Sequence, residues 1–123
     1  MAFSSRRLAQ IDASNIMYIR AGSRSAHRFI GIWAVVVNGR VFVRSWTLKP
    51  GGWYRTFLDD PLGTIKIGQR SVRIRAVQVR SERLRDAVER AYAAKYTSRG
   101  SRRYVRGFRA KRRRAATLEL MSR

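Results

Sequence analysis

The chain has 123 residues, 45% of them hydrophobic, which is enough for one core and short for two, so a single domain spanning residues 1–123 is expected. It holds no cysteine, which excludes thiolate nucleophiles, zinc–cysteine centres and iron–sulfur clusters. Its net charge of +21 draws nucleic acid, acidic lipid surfaces and phosphorylated small molecules alike, so charge alone does not choose a partner. Only four of the 28 basic residues are lysines, and arginine-rich usage of this kind is what a GC-rich genome favours, which explains part of the charge without function. No run approaches the ~20 apolar residues of a membrane span, and no apolar stretch of signal-peptide length follows Arg6 and Arg7, so the cytoplasm is the expected location and no membrane is an expected partner.

In chain order, Ser5 to Asn15 reads as a short amphipathic helix within an N-terminal segment, residues 1–15, with Leu8 and Ile11 on one face and Ser4 or Ser5 as cap. Ile16 to Arg20 is rich in β-formers and closes at Gly22. Phe29 to Val37 and Arg40 to Ser45 flank Asn38-Gly39, the pair that best supports the two positive φ angles of a type I′ hairpin turn. After the breaker cluster Lys49 to Gly52, Trp53 to Leu58 predicts one short helix, ended by Asp59-Asp60-Pro61. Gly63 to Ile67 and Ser71 to Arg80 alternate apolar and polar residues around Gly68-Gln69, a second hairpin with one wet, positive face. The long helix follows, with Ser81 as N-cap and Leu84, Val88, Ala91 and Tyr92 on one face, ending before Thr97 to Gly100.

Residues 99–114 carry nine basic side chains and no acid, with Tyr104, Val105 and Phe108 interspersed; the expectation is a solvated, arginine-rich loop over a barrel mouth. Ala116 to Leu120 supplies a last strand. The sum is a mainly β fold with flanking helices, a six-stranded antiparallel meander that closes best as a small barrel, because closure removes its sheet edges.

Among candidate sites, Arg44 and Ser45 end a strand beside a glycine-rich turn and a helix start, where a guanidinium, a hydroxyl and backbone amides could converge on a phosphate; a strand-end arginine in water is the plainer alternative. Trp33, Trp46 and Trp53 offer faces for a planar ring, although Trp33, set in an apolar strand, is expected in the core. His27, the single histidine, reads as a loop residue. Asp59-Asp60 reads as a helix exit, and Glu82, Asp86 and Glu89 as helix-surface partners of Arg83, Arg85 or Arg90. The rival to a phosphate site is a nucleic-acid surface made of Arg102, Arg103, Arg106, Arg109, Lys111, Arg112, Arg113 and Arg114, where cations neutralise phosphates and Tyr104 and Phe108 stack on bases.

The segments Gly31-Ile-Trp33, Val35 to Ser45, Trp53-Tyr-Arg55, Gly63-Thr-Ile65, Asp86-Ala-Val88, Ala91-Tyr-Ala-Ala-Lys-Tyr96 and Ala116 to Leu120 resemble bacterial domain-of-unknown-function family 2255. The order of elements is more distantly similar to the split-barrel flavoproteins, such as pyridoxamine-phosphate oxidase and the deazaflavin-dependent nitroreductases. That likeness implies an FMN-binding-like split barrel, a homodimer, and flavin mononucleotide or a deazaflavin as cofactor for an oxidoreductase. The implied cofactor residues are Arg44, Ser45 and Lys49, followed by Trp53, Tyr54 and Arg55 at the next helix. The first phosphate-gripping segment of the oxidases has no counterpart around Ile16 to Arg28.

Overall fold

The computed structural model describes residues 2–24 and 28–123; His27 lies outside them. The N-terminal helix α1 (Ser5–Ala13) is capped by the Ser4 hydroxyl, which accepts from the Arg7 amide. Two strands follow, β1 (Met17–Ala21) and β2 (Ile30–Ile32), and then the hairpin β3 (Ala34–Val37) and β4 (Arg40–Arg44). Its turn has positive φ at Asn38 (51°) and Gly39 (75°), the type I′ geometry the pair predicts. The short helix α2 (Trp53–Asp59) precedes the second hairpin, β5 (Leu62–Ile67) and β6 (Arg70–Gln78), turned by Gly68 at φ 61°. The long helix α3 (Glu82–Lys95), two further helices and the strand β7 (Thr117–Ser122) complete the chain.

All seven strands form one antiparallel sheet in the order β2-β1-β5-β6-β7-β4-β3. Its two outermost strands, β2 and β3, are consecutive in the chain and separated by Trp33 alone, so one bent ribbon joins both ends of the sheet and nearly closes a barrel. The expected strand Phe29 to Val37 is this ribbon. It breaks at Trp33 because its first half pairs with β1 and its second half with β4, which raises the strand count from six to seven.

The sheet buries side chains on both faces. Ile19, Val41, Val43, Ile65, Ile74, Leu118 and Leu120 alternate into the barrel, where Trp53, Tyr54 and Phe57 of α2 close one end. A second cluster, Val35, Phe42, Val79, Val88, Tyr92, Tyr96, Val105 and Phe108, lies between the outer face of β3 and β4 and the helices. Strand β4 is buried from Val41 to Arg44 for this reason: its odd positions face the barrel and its even positions face α3.

One expectation is corrected outright. Residues 99–114 are not a loop but two helices, α4 (Arg99–Gly107), capped by Ser98, and α5 (Lys111–Ala115). The apolar residues of the segment decide this: Val105 and Phe108 are three apart, fall on one side of a helix, and are buried against Tyr92 and Trp33. Among the described residues, no helix is long and apolar enough to cross a membrane.

Glycine is required at position 63, where β5 passes α2. A Cβ there would stand 2.6 Å from the Arg20 carbonyl oxygen and 2.7 Å from Cε1 of Phe57. Gly63→Ala is therefore expected to destabilise the fold by roughly 1–3 kcal/mol through overpacking. Gly100→Ala, on the first turn of α4 with nothing within 4 Å of the added carbon, is expected to be neutral or stabilising. Urea unfolding of the two variants checks the contrast, and equal midpoints would contradict it.

Candidate functional site

Arg44 has a side chain with 0% exposure and makes four hydrogen bonds inside the protein. Nε donates to Thr117 Oγ1 on β7 (2.8 Å), Nη1 to Glu89 Oε1 on α3 (3.2 Å) and to the Phe108 carbonyl at the end of α4 (3.0 Å), and Nη2 to the Arg85 carbonyl (3.0 Å). Burial lowers its pKa, against the pull of Glu89. Its backbone N–H donates to the Tyr92 hydroxyl (3.0 Å), which itself donates to the Trp33 carbonyl (2.7 Å), so the break in the β2–β3 ribbon is tied to β4 through one phenol. Burial raises the Tyr92 pKa and pushes that of Tyr96 up to about 12, so both remain hydrogen-bond donors at neutral pH.

The Ala-Tyr-x-x-Lys-Tyr motif completes the same task. Lys95 Nζ donates to the Ile11 and Ala34 carbonyls (3.1 and 2.7 Å), and the Tyr96 hydroxyl to the Asn15 carbonyl (2.6 Å). These bonds tie the end of α3 to the edge strand β3 and to the end of α1, where the Ile11 carbonyl also accepts from the Ser14 amide. On the outer side of α3, Arg114 donates to Glu82 Oε2 (2.7 Å), Asp86 Oδ1 (2.9 Å) and Glu89 Oε1. Three acids that the sequence assigns to neighbouring helix arginines are thus held largely by one distant residue, with Arg85 sharing Glu82.

Of the six implied cofactor residues, the structure gives other partners to three besides Arg44. The Ser45 hydroxyl donates to the Thr47 carbonyl, the Tyr54 hydroxyl accepts from Gln78 Nε2 (3.2 Å), and exposed Arg55 donates through Nε to the Leu48 carbonyl (3.3 Å). Arg44, Lys49 and Trp53 do border cavities. One is a cleft of about 410 Å³ walled by Trp33, Trp46, Trp53, Tyr104 and Phe108, with Arg44 and Thr47 at its edge. Ile30, Thr47 and Trp53 also line a second hollow of about 440 Å³, which Arg28 and Lys49 border.

Trp33 is therefore a cleft wall rather than core alone: one face stacks on Tyr96 with centroids 4.1 Å apart, while Tyr104 and Phe108 meet it edge-on at 6.0 and 6.2 Å. Trp46 is 39% exposed, with the Arg113 guanidinium 3.5 Å from its ring centroid. Its indole rests on Gly107, where a Cβ would come within 2.3 Å of the ring. Arg28, Tyr104 and Phe108 are site residues that the sequence reading did not assign to the cleft. The spacing of Tyr104 and Phe108, four apart, is the signal that places both on one helical face.

The nucleic-acid candidates also divide. Arg113 packs on Trp46 and donates to the Trp46 carbonyl (3.0 Å), and Arg114 holds α3, so both have structural partners. Arg102, Arg103, Arg106, Arg109, Lys111 and Arg112 are exposed and have no carboxylate partner among the described residues.

The profile of a family described as uncharacterized protein conserved in bacteria (DUF2255) matches residues 6–120. The chain belongs to this family. No curated protein matches its sequence. Among solved structures, the fold is similar to that of a conserved hypothetical protein from Mycobacterium tuberculosis, with a TM-score of 0.65 at 13% identity, over 98% of this chain and 79% of that one. At that identity the likeness is one of fold.

Replacing Arg44 by Met removes the guanidinium, leaves the Phe108 carbonyl without its donor and takes one of two cationic partners from Glu89, with an expected loss of roughly 3–5 kcal/mol. Arg44→Lys is expected to recover little, because one ammonium cannot span acceptors on β7, α3 and α4. Urea midpoints measure both, and a wild-type midpoint in Arg44→Met would refute the anchoring role.

The acids give a pH dependence as well. Hydrogen bonds from Arg114 and Arg85 hold the Glu82 carboxyl below its ordinary 4.5, and those from Ser23 hold Asp60 below 3.8. Protons bind the unfolded chain first, so this contribution is complete above those ordinary values and is lost as pH falls through the lower folded-state ones. Tm is expected to decline on acidification below about pH 4.5, less steeply in Glu82→Gln.

Proposed function

We propose that the protein binds a planar, phosphorylated small molecule of the flavin mononucleotide or deazaflavin class in the aromatic cleft. The observation that carries this reading is a five-aromatic cleft that shares Ile30, Thr47 and Trp53 with an adjacent hollow lined by two cations, Arg28 and Lys49. A volume of about 410 Å³ falls in the range of pockets that enclose small cofactors, roughly 300–1,000 Å³. Tryptophan and tyrosine faces suit a tricyclic ring, and a flexible lysine with a neighbouring arginine suits a terminal phosphate.

The phosphate grip in this reading differs from the one implied by the split-barrel oxidases. Lys49 and Arg28 supply the charge, while the Arg44 guanidinium ties β4 to β7 and the end of α4 and the Ser45 hydroxyl braces the turn after β4. A flavin or deazaflavin would supply hydride chemistry when bound, as its ring does in any protein host. The chain's own part is to enclose the ring, exclude water with its aromatic walls and neutralise the phosphate. Among the described residues lining the cleft there is no carboxylate or histidine, so the walls contribute shape and charge rather than an acid–base pair.

Titration of the purified protein with flavin mononucleotide, and separately with a deazaflavin, tests the reading by quenching of ligand fluorescence. Saturable binding is expected, weakened on the order of tenfold by Lys49→Ala, the loss of one charge-assisted phosphate contact. Trp46→Ala is expected to weaken it further by removing a wall of the cleft. Absence of binding to both ligands, or binding indifferent to both substitutions, overturns the assignment.

A further inference from the structure

A second surface, on the opposite side of the sheet from the barrel interior, has a composition that solvation alone does not require. Strands β1, β5 and β6 lie side by side, and no helix packs on their outward face at positions 18, 20, 64, 66, 71, 73 and 75, which are exposed or half-buried. The register aligns these positions in rows across the sheet. Tyr18 stands beside Lys66 and Lys66 beside Ser71; Arg20 stands beside Thr64 and Thr64 beside Arg73; Arg75 stands beside Leu62. Paired residues of antiparallel strands point to the same face, so the cations form one array. No carboxylate interrupts it: the outward positions of these three strands contain no Asp or Glu.

Two aromatic rings lie within the array. Tyr18 is 50% exposed, and its ring lies over Gly31 of the neighbouring strand, where a Cβ would sit 3.5 Å from Tyr18 Cε1 and 2.8 Å from Ile16 Cγ2. The absence of a side chain at Gly31 leaves room for that ring on the sheet. Phe29 is flanked by Arg20, 4.6 Å from its centroid, and Lys66, 4.4 Å from it. Apart from the contacts of Arg20 and Lys66 with Phe29, nothing at the outward positions of these strands, and no carboxylate, offsets the repulsion of the gathered cations. They are well matched to a polyanion whose flat bases need stacking partners.

We infer that the outer face of β1, β5 and β6 binds single-stranded nucleic acid, with exposed Tyr18 as the stacking platform and Arg20, Lys66, Arg73 and Arg75 as phosphate contacts. Single strands are favoured over duplex because a duplex hides its base faces, which would leave exposed Tyr18 without a role. This surface is distinct from the aromatic cleft, from the exposed arginines of α4, and from the Arg113 and Arg114 positions, so each can be altered separately.

The test is fluorescence anisotropy of a labelled oligo(dT) and oligo(rU) with the full chain over a range of salt concentrations, with duplex DNA and phosphatidylserine vesicles as competitors. The expected result is binding that weakens steeply with salt. Combined Lys66→Ala, Arg73→Ala and Arg75→Ala should reduce the slope of log affinity against log salt by about 2, at ~0.7 per phosphate contact. Tyr18→Ala should weaken binding on the order of tenfold without changing that slope, the signature of lost stacking. All four side chains lie on the outer face, and unchanged circular dichroism and urea midpoints establish that the variants fold.

The inference is overturned by absence of binding at low salt, or by binding that survives the triple substitution and Tyr18→Ala. It is equally overturned if affinity is lost only when Arg102, Arg103 and Arg106 of α4 are replaced, or if duplex DNA or vesicles compete better than single strands. Flavin binding is measured on the same variants; because the cleft does not include these residues, its success or failure is read independently.

Discussion

A single buried guanidinium organises this protein. Arg44 sits at the end of β4, where barrel, long helix and C-terminal helices meet, and its hydrogen bonds reach all three: Thr117 on β7, Glu89 and the Arg85 carbonyl on α3, the Phe108 carbonyl after α4. Burying a cation is costly unless its donors are paired, so these partners must be in place together. The requirement couples elements far apart in the chain and fixes the position of α4, hence of Tyr104 and Phe108, against Trp33 and Trp46. The aromatic cleft is a consequence of that coupling.

The second constraint is the bent ribbon that nearly closes the barrel. Breaking β2 from β3 at Trp33 leaves carbonyls without a ladder partner, and Tyr92 and Lys95 of α3 answer with side-chain donors, while Tyr96 at its end donates to the Asn15 carbonyl between α1 and β1. The conspicuous Tyr-x-x-Lys-Tyr spacing is therefore a backbone-satisfying device. The same break turns the Trp33 side chain to line the cleft, so the structural solution and the candidate site share a residue.

Charge is distributed with similar economy. Glu82, Asp86 and Glu89 are clustered on α3 and neutralised by Arg114, Arg44 and Arg85, Glu119 is gripped by both ends of the Arg40 guanidinium, and Asp60 caps the Ser23 turn. With these acids committed, the array on β1, β5 and β6 and the exposed face of α4 carry unbalanced positive charge. The arginine-rich composition thus separates into residues that hold the fold and residues that face solvent, a division visible only by the company each keeps.

Most strands, their two hairpin turns, α1, α2, the span of α3 and its Ser81 cap were legible in the sequence, because alternation, helical periodicity, caps and Asn-Gly turns depend on neighbours a few residues away; the break at Trp33 that makes seven strands of six was not, because it is set by pairing with two distant strands. The helices of residues 99–114 were hidden by their charge, although Val105 and Phe108 carried the signal. What tertiary structure alone decided is the partner of each polar group. Arg44, Ser45, Lys49, Trp53, Tyr54 and Arg55 form one neighbourhood along the chain, but β4 packs against α3 on one face and opens to the cleft at its end, sending Arg44 inward and Lys49 outward. Local sequence sets which elements form; burial and pairing between residues some 40 to 75 positions apart set which of their side chains remain free to bind.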